Sequence, residues 1–241
     1  MWAMAGTQAI DRAAQLLVHV VESARPLGVG QLAAATALPK STTSRLLSAL
    51  ERQGLLQRDG DRGAVRPGPV LLRFAQRAEP EVMLAELAGA ALDALAEESG
   101  ETINVAVATP LGVEQLSQRD SRHFIGSTNW VGRRVPYHLT ANGKVLVAYG
   151  AAADERLAEQ ELARVRERGY ATAVDELELG LSALAAPVFG ADGRCVAALS
   201  ISGPTIRLTR GRIEELAPGL VRHALELSRR LGCQDDKRGA A

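Results

Sequence analysis

One predicted helix in the first third of the chain carries a narrow stripe of small, polar and basic side chains. Between Lys40 and Gln53, helical spacing places one set of residues on a side that should be buried: Thr43, Leu46, Leu47 and Leu50. The opposite side carries a second set: Ser41, Ser44, Arg45, Ser48 and Arg52. The major groove of DNA, about 12 Å wide, admits a helix whose outward side is slim and donates hydrogen bonds. The spacing therefore indicates a DNA-reading helix, with a solvated surface helix as the alternative.

Basic side chains are concentrated around this helix. Residues 1–78 contain ten Lys or Arg and five Asp or Glu, whereas residues 79–241 contain 18 and 23, although the whole chain has no net charge. A basic first third on an acidic remainder indicates two modules, the first of which faces a polyanion. Double-stranded DNA is the expected partner, through these residues: Lys40, Ser41, Thr42, Ser44, Arg45, Ser48, Arg58 and Arg62.

Groups that could catalyse a reaction are sparse. None of the four histidines lies in an HExxH pattern: His19, His123, His138 and His223. No acidic partner of His138 is evident, and the chain contains no phosphate-binding glycine loop and no GxSxG nucleophile turn. Cys195 and Cys233 lie 38 residues apart, and the β-prone run around Cys195 favours a buried, inert thiol. We therefore expect no enzyme, no metal site and no cofactor.

The composition is that of a globular chain with an aliphatic core. Hydrophobic residues make up 46% of the 241 residues and aromatic residues only 3%, and this length suggests one large domain or two modest ones. No apolar run approaches the ~18–20 residues needed to cross a bilayer, and the N-terminal residues lack the features of a secretory signal. Two widely separated cysteines do not indicate a disulfide framework. We expect a cytoplasmic protein without membrane contact.

Three short helices and a β-hairpin are predicted in the basic third. The first helix should run from Gln8 to Glu22 and carry these apolar residues on one face: Ile10, Ala13, Ala14, Leu17, Val18 and Val21. A second helix is expected over residues 29–35, and a tight turn at residues 36–39 leads into the polar-striped helix. A strand over residues 55–57 and a return strand from Val65 would enclose the basic turn.

The rest of the chain alternates helical and β-prone segments. After Pro80, helical spacing predicts a helix that is either a linker and dimer seam or packed on its own domain, from these residues: Val82, Leu84, Leu87, Ala88, Ala91, Leu92 and Leu95. Two strand pairs are expected, over residues 102–108 with 113–118 and over residues 183–189 with 195–202. A last helix is predicted over residues 212–231. Strands flanked by helices indicate an α/β or α+β domain.

Small and polar residues in this second part mark a candidate binding site. Residues 140–143 (Thr-Ala-Asn-Gly) precede a predicted helix over residues 144–149, whose N-terminal amides suit a carboxylate or another electron-rich group. Ser200 and Ser202 alternate onto one face of a strand, where they either supply hydroxyl groups to a ligand or only bond the neighbouring backbone. Trp130 is a candidate apolar lid, with an interface or core position as the alternative.

Five blocks follow one another in a recognisable order along the chain. They are QAIDRA at residues 8–13, LPKSTTSRLL at 38–47, VPYHLTANGK at 135–144, RGY with DELELG within 168–180, and AAPVF with LSISGP within 185–204. This order resembles the IclR family of bacterial transcription regulators over about residues 8 to 231. Two places depart from the family pattern. Ala37 stands where a glycine is usual, and residues 64–68 lack the usual Tyr and Leu-Gly, so we expect an altered turn and a shorter or differently paired wing.

The resemblance implies an α/β multi-domain protein. Its parts would be a winged helix-turn-helix domain over residues 8–78, a linker helix over 79–99 and a GAF-like α/β effector-binding domain over 100–235. It implies a homodimer or tetramer that binds operator DNA and responds to a small-molecule metabolite. The family's ligand contacts carry over to these positions: Ala141, Asn142, Ala183, Ser200 and Ser202. Because some GAF-like domains use paired cysteines in catalysis, a GAF-like domain with enzymatic activity is the alternative.

Overall fold

A computed structural model describes residues 8–23, 25–59, 63–77, 80–123 and 128–234 of the chain. The chain divides into two units, Met1–Glu79 and Pro80–Ala241, each with its own internal packing. No helix in these described ranges is long and apolar enough to span a membrane.

The N-terminal unit is a small bundle of helices with a two-stranded wing. Its elements are α1 (Gln8–Val21), α2 (Val29–Ala35), α3 (Lys40–Arg52), β1 (Leu56–Asp59), β2 (Ala64–Pro67) and α4 (Pro69–Arg77). The wing strands pair antiparallel from Leu56 opposite Pro67 to Asp59 opposite Ala64. A bridge between Leu27 and Val65 extends this small sheet. The unusual sequence at residues 64–68 therefore still forms a regularly paired wing on either side of its turn.

The face that α1 buries differs from the face that its periodicity indicated. Leu16 and Val20 are buried in the core of the unit, which also contains Leu32, Leu47, Leu56 and Val65. By contrast, the exposed fractions of Ile10, Val18 and Val21 are 68%, 51% and 53%. The first helix carries two adjacent apolar stripes, and packing against α3 decides which of them is covered. Of the predicted face, Leu17 packs partly against the core, whereas Ile10, Val18 and Val21 stay exposed.

The turn between α2 and α3 keeps a left-handed residue although it lacks a glycine. Ala37 has φ 52°, a region that is unfavourable for any residue with a Cβ atom. The turn is closed by the Leu38 amide, which donates to the Ala33 carbonyl at 3.0 Å. The Thr36 hydroxyl donates to the Leu32 carbonyl at 2.7 Å. The turn therefore places an alanine in a strained left-handed conformation.

The C-terminal unit contains one six-stranded antiparallel sheet and four helices in its described residues. In chain order they are α5 (Pro80–Ser99), β3 (Thr102–Thr109), β4 (Gly112–Arg119), β5 (Arg134–Val135), α6 (Ala141–Ala148), α7 (Glu159–Arg168), β6 (Ala171–Val174), β7 (Leu181–Phe189), β8 (Cys195–Pro204) and α8 (Arg210–Arg230). The strand order is β5-β4-β3-β8-β7-β6. Both predicted strand pairs are present, as β3 with β4 and β7 with β8.

Helices cover both faces of the sheet, and the sheet separates two apolar cores. One core joins α5 and α8 to the sheet, and it buries most of the stripe predicted after Pro80: Leu84, Ala88, Ala91, Leu92 and Leu95. This stripe thus packs on its own domain, whereas Val82 remains exposed. The second core joins α6 and α7 to the opposite face. Because both faces are covered, every side chain in the middle of β3 is buried, including the polar Asn104.

Candidate functional sites

The polar stripe of α3 lies at the surface of the N-terminal unit. Thr43 and Leu47 are buried, and the Thr43 hydroxyl donates to the Pro39 carbonyl at 3.1 Å. On the other side, the predicted contact residues are exposed or partly exposed: Lys40, Ser41, Thr42, Ser44, Arg45 and Ser48. The stripe is therefore accessible to a groove, and Arg45 is a long, exposed hydrogen-bond donor near its middle.

The wing arginines are less available than the sequence indicated. Arg58 is partly buried, its guanidinium donates to the Gly63 carbonyl at 2.9 Å, and it forms an ion pair with Glu51 at 3.4 Å. Arg66 pairs with Asp59 at 3.5 Å across the strands. Arg62 lies outside the described residues. Part of the wing's positive charge is therefore neutralised by acidic side chains of the same unit.

A cavity in the C-terminal unit brings together all six residues predicted for the effector: Trp130, Ala141, Asn142, Ala183, Ser200 and Ser202. Thr140, in the candidate segment 140–143, also lines the cavity, and the sequence reasoning missed the other lining residues: Asn104, Gln115, Val135, Leu139, Ala173, Leu177 and Leu181. The volume of the cavity is about 50 Å³. It lies between α6 and the sheet, because Ala and Ser side chains on the facing surfaces are too small to fill the space.

The N-terminus of α6 forms one wall of the cavity. The helix begins at Ala141, three residues earlier than expected, because Thr140 caps it and accepts a hydrogen bond from the Gly143 amide at 3.1 Å. Any side chain at Gly143 would collide with the backbone, since a Cβ atom there would come within 2.1 Å of the Tyr137 carbonyl oxygen. This close approach holds the first turn of α6, with Ala141 and Asn142, against the cavity.

Strand register supplies the opposite wall. Ser200 on β8 lies opposite Asn104 on β3, and Ser202 lies opposite Ala183 on β7. The Asn104 side-chain amide donates to the Ser202 hydroxyl at 3.4 Å. Ser200 and Ser202 thus line the same cavity as the buried Asn104 amide.

Three side-chain oxygens around the cavity are buried without a hydrogen-bond partner: Asn104 Oδ1, Gln115 Oε1 and Asn142 Oδ1. An unsatisfied buried acceptor destabilises a fold by about 1–3 kcal/mol. Asn104 and Gln115 could have been found in the sequence only by recognising that both faces of their strands would be covered.

Uncharged side chains make up the cavity lining in the described part of the chain. The nearby Lys144, on α6, is buried and forms ion pairs with Glu161 at 2.8 Å and Glu176 at 2.6 Å. The guanidinium carbon of Arg133 lies 5.6 Å from the centre of the Trp130 ring. A ligand in the cavity would therefore be recognised through amides, hydroxyl groups and helix N–H groups, and not through a free cation.

The groups considered for catalysis are accounted for by other contacts. His138, for which the sequence showed no acidic partner, has one: its Nδ1 lies 3.2 Å from Asp154 Oδ2. Hydrogen bonds from Arg156, helped by the charge of His138, lower the pKa of Asp154 to about 2. Burial raises the pKa of the Cys195 thiol to about 12, so this thiol is a poor nucleophile. Over the described ranges, no three His, Cys, Asp or Glu side chains form a cluster that could hold a metal ion.

The fold and these two sites define a class of protein, in which a helix-turn-helix unit is joined to an α/β unit with a small-molecule cavity. The sequence matches the IclR helix-turn-helix domain over residues 9–60 and the bacterial transcriptional regulator IclR C-terminal domain over residues 77–159 and 151–229. The chain therefore belongs to the IclR family of transcriptional regulators.

Individual relatives agree with this assignment over nearly their whole length. The chain is 31% identical to the glycerol operon regulatory protein of Streptomyces coelicolor, with 89% of this chain and 91% of that protein covered. It is 29% identical to the transcriptional repressor IclR of Escherichia coli, with 92% of this chain and 89% of that protein covered. A solved IclR-type structure from Silicibacter sp. has 25% sequence identity and a TM-score of 0.68. The match covers 95% of this chain and 98% of that one. The relatives are regulators and repressors of transcription.

Proposed function

We propose that the protein binds operator DNA through α3 and the wing, as a homodimer or a tetramer, and that a small molecule in the cavity of the C-terminal unit changes its DNA affinity. The observation that carries this proposal is the convergence of six predicted ligand contacts on one cavity that also contains three unpartnered amide oxygens. A cavity that combines apolar lining with a few convergent polar groups is suited to a ligand. The alternative, an enzyme with paired cysteines, is disfavoured because both thiols are buried and Cys195 has a strongly raised pKa.

The exposed apolar side chains of the N-terminal unit support self-association. Ile10, Val18 and Val21 of α1 are exposed, and so are Leu72 and Phe74 of α4. Apolar side chains grouped on a helix surface are typical of an interface, since water contact with them is unfavourable. A two-fold dimer would present two copies of α3 to half-sites about one helical turn apart, or a multiple of that spacing.

Arg45→Ala tests the DNA contact. We expect specific binding to weaken by roughly 1–3 kcal/mol, or about 5- to 150-fold, if the guanidinium makes a bidentate base contact. The probe is a DNA fragment that the wild-type protein selects from a random-sequence library, and affinity is measured by fluorescence anisotropy at fixed salt. Arg194→Ala, which removes an exposed arginine from the C-terminal unit, is the matched control and should bind normally. Equal affinities for Arg45→Ala and the wild type would refute the assigned contact.

A further inference from the structure

Three amide side chains surround the cavity on three different elements. Asn104 lies on β3, Gln115 on β4 and Asn142 in the first turn of α6. Their exposed fractions are 3%, 6% and 6%, and all three line the same cavity. None of their side-chain oxygens has a hydrogen-bond partner among the residues that the structure describes. They are thus polar groups that are withdrawn from bulk water and still unpaired.

Such a cluster is unfavourable for the free protein. Each unpaired oxygen forfeits the hydrogen bonds that it would make to water, whereas an apolar side chain of similar shape would fill the same place without that loss. Three amide oxygens without a partner at one cavity therefore indicate a hydrogen-bond donor that comes from outside the chain. Folds commonly carry such locally unfavourable groups where a ligand binds.

The chemistry of the amides indicates what that partner presents. A side-chain amide has an acceptor oxygen and a donor nitrogen, and rotation of the group exchanges their positions. A hydroxyl group both donates and accepts, so it pairs with an amide in either orientation, and Ser200 and Ser202 offer the same dual capacity beside them. The lining described for this cavity contains no charged side chain that would demand an ion at this end of the ligand.

We propose that Asn104, Gln115 and Asn142 form a subsite for a ligand hydroxyl group, and that the effector is a compact, hydroxylated small molecule. The cavity volume of about 50 Å³ limits the part of the ligand that is held there to a few non-hydrogen atoms. A site that bonds a hydroxyl group rejects the analogue without it strongly, because its own polar groups are then left unpaired. This inference rests on the proposed function, since it assigns the chemistry of the same cavity.

The first test needs no ligand and compares melting temperatures of the free full-length protein. Gln115→Met removes an unpaired amide and keeps the side-chain length, so its melting temperature should rise by about 2–4 °C. Asn142→Leu should change it in the same direction. Gln160→Met, on the exposed surface of α7 and away from the cavity, is the control and should melt like the wild type. A lower melting temperature for both cavity variants would show that the amides are already satisfied, and would overturn the subsite.

The second test uses pairs of compounds that differ by one hydroxyl group: glycolate with acetate, lactate with propionate, and glycerol with propane-1,2-diol. Calorimetry should show at least about tenfold tighter binding of the hydroxylated member of any pair that binds, and Gln115→Met should remove this preference while Gln160→Met keeps it. Binding without hydroxyl preference would overturn the subsite and leave the effector cavity standing. Binding that persists in Ala183→Phe, which fills the cavity, would overturn both. If no compound binds, the melting temperatures of Gln115→Met and Asn142→Leu decide whether the subsite stands.

Discussion

At the scale of single residues, Ala37 occupies a backbone conformation that suits glycine better than alanine. A left-handed φ of 52° is unfavourable for alanine by about 1–2 kcal/mol, and glycine removes that strain at the expense of extra freedom in the unfolded chain. We therefore expect Ala37→Gly to raise the free energy of unfolding of the N-terminal unit by up to about 1 kcal/mol. Urea unfolding followed by circular dichroism measures this change.

The matched control for this prediction lies three residues earlier. Ala34 is exposed within α2, where φ is helical and glycine has no strain to relieve. Ala34→Gly should lower the free energy of unfolding by about 1 kcal/mol. If both substitutions destabilised the unit equally, the left-handed turn would not be strained in solution.

At the scale of elements, α6 is held in place from both ends. Thr140 caps its first turn, and His138 before the helix contacts Asp154 after it. Asp154 also accepts two hydrogen bonds from the Arg156 guanidinium, at 2.7 and 2.8 Å. These contacts fix the wall of the cavity that carries Ala141 and Asn142, so they connect local stability to the geometry of the candidate site.

Asp154→Asn tests the contacts of Asp154 with His138 and Arg156 through the pH dependence of stability. The pKa of Asp154 in the folded protein is about 2, below its usual value of 3.8, so its stabilising contribution is complete above about pH 4 and is lost as the pH falls towards 2. We expect the variant to be less stable at pH 7 by roughly 1 kcal/mol, since Arg156 is largely exposed and its ion pair is screened. Thermal unfolding between pH 7 and pH 2.5 should show the difference shrinking with acid. Asp192→Asn, at an exposed ion pair of 3.8 Å, is the control, and a difference independent of pH would contradict the assignment.

At the scale of the whole molecule, the exposed apolar side chains of α1 are a candidate dimer interface. If its exposed apolar stripe forms the dimer interface, Ile10→Glu together with Val18→Glu should place buried charges in that interface and shift the protein towards a 25.5 kDa monomer. Sedimentation at micromolar concentration measures the shift. Leu111→Glu, at an equally exposed apolar position of the C-terminal unit, should leave the assembly intact. The reverse result would place the interface on the C-terminal unit.

Local sequence determined most of the secondary structure of this protein. The polar stripe of α3 and the strand pairs β3–β4 and β7–β8 follow from short-range periodicity and turn residues, because the side-chain repeat of a helix or strand is set by its own backbone geometry. Five of the effector residues followed instead from the family resemblance and Trp130 from its loop position, and all six line one cavity.

Only the tertiary structure decided which surfaces are covered. Periodicity could not choose between the two apolar stripes of α1, because that choice depends on where α3 packs. It also could not show that Asn104 and Gln115 are buried, or that His138 meets Asp154 across 16 residues of sequence. Burial and pairing of this kind arise from elements that are distant in the chain. The three amide oxygens without a partner therefore follow only from a sheet that is covered on both faces.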